Sequence, residues 1–60
     1  MSSRTAIAEH YLTMLRGTGD TPTARMTVRY AERARVPFGR IVGLLGIPAE
    51  TVVDYIEGGE

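Results

Sequence analysis

The chain has 60 residues, 43% of them hydrophobic, with no cysteine and a formal net charge of zero. A chain this short buries a thin core, and without cysteine no disulfide or thiolate-held metal can staple it, so tight helix packing or self-association into a homodimer or larger oligomer is the expected support. No apolar run approaches the ~18 residues of a membrane span, and the opening MSSRTAIAEHYL lacks the apolar stretch of a signal peptide, so the expectation is a cytoplasmic protein with no membrane partner.

The first helix is expected over Arg4–Arg16. Ile7, Tyr11, Met14 and Leu15 fall at i, i+4, i+7 and i+8, one apolar stripe read as the core face, and Ala8 and Leu12 widen it. Ser2 or Ser3 can cap the start, and Gly17 can end the helix in a left-handed turn. Gly17–Thr21, GTGDT, is a loop by composition. Pro22 suits a first helical position, with Asp20 or Thr21 as cap. The second helix then runs to about Arg35. Its Ala24, Val28 and Ala31 make a narrow small-residue face, and Met26 and Tyr30 form a second i, i+4 pair. Val36 precedes Pro37 and is pushed toward an extended conformation, which closes the helix.

A third helix is expected over Phe38–Leu45, with Ile41, Leu44 and Leu45 pointing inward. Gly46 can end it, and Pro48 can open a fourth helix that runs to about Glu57. Val52, Tyr55 and Ile56 are the core face of that helix, and Gly58 and Gly59 end it. No period-two pattern of useful length appears. The expectation is one all-α domain over residues 1–60, a small bundle of four short helices ending in a helix-turn-helix.

The stretch RIVGLLGIPAETVVDYI carries that last expectation. Two short amphipathic helices flank Gly46, and Ile47 is placed to fill the angle between them. A steep helix crossing needs a residue free to take positive φ, followed by an apolar plug. This stretch resembles the helix-turn-helix of sigma-factor region four and of LuxR-type regulators, and its tail, TVVDYIEGG, is similar to the end of the motif in small phage-repressor-type domains. The resemblance covers about a third of the chain. It implies that Phe38–Leu45 supports and Pro48–Glu57 recognises, with Thr51 touching a phosphate or base edge and Val53, Asp54 and Glu57 facing outward. It further implies a small DNA-binding transcription regulator of prokaryotic or phage type. Val42 stands where those families prefer alanine, and Gly43 weakens the supporting helix by roughly 1 kcal/mol relative to alanine. The families carry lysine, arginine, serine or asparagine after the TV pair. This chain has Val53 and Asp54.

Charge is divided along the chain. Residues 1–40 hold all seven bases, every one arginine, against Glu9, Asp20 and Glu32, a net of +4; residues 41–60 hold four acids and no base, a net of −4. Arg25, Arg29 and Arg33, four apart on the second helix, line one face, and Arg35 and Arg40 follow. Like charges at i, i+4 destabilise a helix by about 0.2–0.5 kcal/mol per pair, so a counter-charge is expected. Glu32 can meet Arg29 or Arg35 only in part. Three readings stay open for the stripe: a nucleic-acid phosphate backbone, a partner carboxylate in the same or another copy, or water. On the first, the DNA contacts are Arg25, Arg29, Arg33, Arg35, Arg40 and Thr51. The rival function is a protein-interaction module whose Glu50, Asp54 and Glu57 dock a basic partner, a regulator or a polymerase subunit.

Little suggests chemistry. His10, Ser2, Ser3 and Asp20 come with no nucleophile or oxyanion pattern, and GTGD lacks the lysine and length of a phosphate-binding loop. Neither catalysis nor a cofactor is expected.

Overall fold

The computed structural model describes residues 3–58. It contains four α-helices in chain order, α1 (Ser3–Leu15), α2 (Pro22–Arg33), α3 (Phe38–Leu45) and α4 (Ala49–Glu57), and no strand among the described residues. The cap expected at Ser2 and the second terminating glycine, Gly59, lie outside those residues.

The sequence's punctuation produces these boundaries. Gly17 turns the chain out of α1 at φ 85°. Thr21 caps α2, its hydroxyl oxygen accepting from the Ala24 amide at 3.0 Å, and Pro22 opens the first turn. Gly46 ends α3 in the left-handed region at φ 73°, its amide donating to the Val42 carbonyl. Pro48 caps α4 from an extended conformation rather than opening it.

One boundary differs from expectation. α2 stops at Arg33, two residues before the position read from Val36 and Pro37. The cause is Arg35, the single non-glycine residue with positive φ, 69°, among the described residues. The Val36 amide donates to the Ala31 carbonyl at 3.0 Å, and the Arg35 amide to the Glu32 carbonyl at 3.1 Å. That pair of reverse bonds is a Schellman closure, and buried Val36 packs where its apolar residue belongs.

α1 lies on both α2 and α3, α2 and α3 touch each other and α4, and α1 does not reach α4. α1 and α2 run antiparallel, since the Thr5 hydroxyl donates to the Ala34 carbonyl at 2.9 Å. The core is Ala8 and Leu12 of α1, Ala24, Val28 and Ala31 of α2, Ala34 and Val36 beyond it, Ile41 and Leu45 of α3, and Val52 and Tyr55 of α4. Leu15, Val42, Leu44, Ile47 and Ile56 pack around it half-buried. Ile47, expected to fill the α3–α4 angle, is half-buried against this core.

The core face of α1 is a correction. Ile7, Tyr11 and Met14, read as inward, are 46%, 49% and 61% exposed, while Ala8 and Leu12 are fully covered. Apolar side chains run nearly all round this helix, so its own periodicity cannot choose a face. The choice is made by α2, whose alanine-lined face lets α1 approach closely and is met best by Ala8. Glu9 reaches α3 and Arg25 reaches α4. Ile7, Tyr11 and Met14 of α1, like Met26 and Tyr30 of α2, are left exposed.

Candidate nucleic-acid interface

The arginines of the expected contact set separate into two groups. Arg25 stands in the first turns of α2, within reach of the loop that Thr21 and Pro22 fix. Its guanidinium grips Asp20 with two bonds, Nε to Oδ1 at 2.8 Å and Nη2 to Oδ2 at 2.9 Å. Asp54 of α4 approaches Nη2 at 3.8 Å, and the guanidinium lies over the Tyr55 ring at 4.9 Å from its centroid. The side chain is 32% exposed. The hydrogen bonds from Arg25 hold the Asp20 carboxyl below its ordinary value, and burial pushes the Tyr55 hydroxyl up. So one arginine of the stripe does meet the acidic last helix, within the chain.

Arg40 has a comparable fate. Its Nε donates to Glu9 Oε2 at 2.7 Å and Nη2 to Oε1 at 3.4 Å, tying the first turn of α3 to α1. Arg16, absent from the expected set, donates to the Gly43 carbonyl at 3.3 Å and stacks against Gly46, where an added Cβ would come within 3.2 Å of its Nε. The α3–α4 turn is therefore anchored beside the end of α1.

At the opposite end of α1 the arrangement changes. Arg4, Thr5, Arg33, Ala34 and Arg35 line one open depression of about 310 Å³, and no carboxylate borders it. None of its three arginines forms an ion pair or hydrogen bond among the described residues. Arg33 complements the negative end of α2. Arg4 has no such reason, because it sits in the first turn of α1, at the positive end of that helix, and no acid is there. Arg29 lies between the two groups, half-buried and lining a shallow depression with Met26, Tyr30 and Arg33.

α4 completes the picture. Glu50, Val53, Asp54 and Glu57 are exposed, and Thr51 is half-buried in its first turn, its amide donating to the Pro48 carbonyl at 3.0 Å. The turn before this helix lies beside Arg16, and its Asp54 and Tyr55 meet Arg25 at the start of α2. Arg4 could have been found in the sequence: two helices of similar length joined by a short loop pair antiparallel, which sets residues 4 and 5 against 33–35. No helix among the described residues is long and apolar enough to cross a membrane. No family model, no curated protein and no solved structure matches the chain.

Proposed function

We propose that this chain is a small helix-turn-helix protein of prokaryotic or phage type that binds duplex DNA by its phosphate backbone in the cytoplasm, as a transcription regulator. The observation that supports the reading best is the Arg4–Arg33–Arg35 group, three cations around one depression with no carboxylate. Such an arrangement repels itself unless an anion covers it, and a polyanion that releases counterions is a suitable cover. In this reading Arg25 and Arg40 serve the fold. Arg29 adds a flanking contact, and Thr51 touches the duplex only if α4 reaches it. Contacts to phosphate position the protein without selecting sequence. The test is duplex binding at 50 and 200 mM salt. Three phosphate contacts give a slope in log K against log salt of about −2.7. Absence of any salt-dependent binding at 50 mM would falsify the reading.

A second reading has its own observation. The outward positions of α4 hold three carboxylates and exposed Val53, with no base, a face that suits a basic protein partner. Asp54 meets the start of α2 and the arginine group lies at its close, so the two partners need not compete. Asp54→Arg separates the readings, since it places like charge against a basic protein and should abolish that complex. The exposed Ile7, Tyr11 and Met14 of α1 and Met26 and Tyr30 of α2 further support self-association through apolar side chains of these helices. Sedimentation at micromolar concentration should then show more than a 6.6 kDa species.

A further inference from the structure

We infer that the depression between the start of α1 and the end of α2 is a built clamp for a single phosphate group of the nucleic-acid backbone, held at the expense of local stability by a left-handed arginine. The inference rests on the DNA reading above and specifies its contact. Three observations combine.

The first is convergence. Arg4 of α1, Arg33 at the end of α2 and Arg35 in the turn after it line one depression, and a guanidinium can offer paired donors to a phosphate. The second is rigidity. The Thr5 hydroxyl bonds the Ala34 carbonyl, so α1 is fastened to the residue between Arg33 and Arg35. Val36, buried at the next position, locks the turn through its bond to Ala31. The backbone that carries Arg33 and Arg35 is thereby held in place against α1.

The third is cost. Residue 35 has φ 69°, a region where glycine is comfortable and a Cβ is not. Glycine would close the same reverse bonds with less strain. The fold thus gains nothing from a side chain here, and the dipole of α2 already has Arg33. Strain kept at one position points to a task for the side chain it carries. Arg4, at the wrong end of a helix dipole, repeats the pattern on the facing element.

The experiment compares wild type with Arg35→Gly and Arg35→Ala in two assays, thermal melting and duplex titration, and adds a titration of wild type with inorganic phosphate followed by amide NMR. Arg35→Gly should raise the folding constant about five-fold by releasing strain, while Arg35→Ala should not. Both should bind duplex about ten-fold more weakly at 0.1 M salt and lose about 0.9 from the salt slope. Phosphate should move the amides of Arg4, Thr5, Arg33, Ala34 and Arg35 before any others. Wild-type binding that both variants match overturns the clamp and leaves the DNA reading standing. Phosphate shifts at these amides without duplex binding overturn the DNA reading and, with it, the assignment of the depression to a backbone phosphate. An Arg35→Gly protein no more stable than wild type removes the argument from strain.

Discussion

The two ends of α2 carry the same residue at helical spacing and use it differently. At the start, Arg25 is enclosed by Asp20, Asp54 and the face of Tyr55. At the close, Arg33 and Arg35 stand with Arg4 around an open depression. The stripe looks uniform because its spacing is uniform. What separates its ends is the neighbouring backbone: the loop before α2 delivers a carboxylate, and the turn after it delivers another arginine. Charge periodicity thus defines a face, whereas access to that face depends on which acids the tertiary fold brings near.

Removing the open group should have the largest effect on this contrast. Replacing Arg4, Arg33 and Arg35 together with alanine should lower duplex affinity on the order of 10²-fold at 0.1 M salt and remove most of the salt slope. Arg25→Ala should change affinity less than about two-fold, because that guanidinium is already neutralised. Equal losses in the two proteins would erase the distinction between the ends.

A few-fold effect is expected from the reverse operation. Asp20→Asn leaves Arg25 with Asp54 alone, at 3.8 Å, and makes the start of α2 resemble its end. Duplex affinity should rise by about two- to five-fold with a steeper salt dependence. An unchanged slope would show that Arg25 stays turned inward over Tyr55.

The pH dependence of stability should show a smaller sign of the same pair. Asp20 titrates below its ordinary 3.8 in the folded protein because Arg25 donates to it. The unfolded chain binds this proton first as pH falls, so the contribution is complete above about 3.8 and is lost as pH drops through the lowered folded value. Melting followed between pH 5 and 2 should show an acid limb that Asp20→Asn reduces. A limb of the same size in both proteins would assign it to other carboxylates.

The smallest expected change discriminates most about α4. If the duplex lies against the arginine end, Asp54, which meets Arg25 eight residues or about 12 Å along α2 from Arg33, is about one screening length away at 0.1 M salt, and Asp54→Arg should alter duplex affinity only about two-fold. If α4 enters a groove as its resemblance to regulators implies, the same substitution should strengthen binding several-fold by removing repulsion. Filter binding on one random duplex decides between these placements.

Much of the fold was legible because the residues that shape it act locally. Pro22, Gly46 and Pro48 restrict or free φ at single positions, so the ends they mark need no tertiary knowledge. The small face of α2 was legible for the same reason, since only one side of that helix is apolar and narrow. α1 was misread because a helix apolar on most sides takes its inward face from its neighbour. The end of α2 was misread because arginine is a poor left-handed residue and Pro37 offered a plausible stop two residues later. In the candidate site, the sequence could display the arginines but not their counter-ions: Glu9 and Arg40 are 31 positions apart, and nothing local joins them.

The absence of contact between α1 and α4 has a kinetic consequence. Among the described residues α4 is held only by α2 and α3. Detaching it exposes Val52 and Tyr55 while leaving Ala8 and Leu12 packed on the alanine face of α2. Such a partial opening should be the lowest excited state of the molecule, so amide hydrogens of Val52–Glu57 should exchange with solvent ahead of those of Ala8–Leu12 and Val28–Ala31. A binding partner could capture α4 in that opened form, with the α1–α2 hairpin and its arginines left in place.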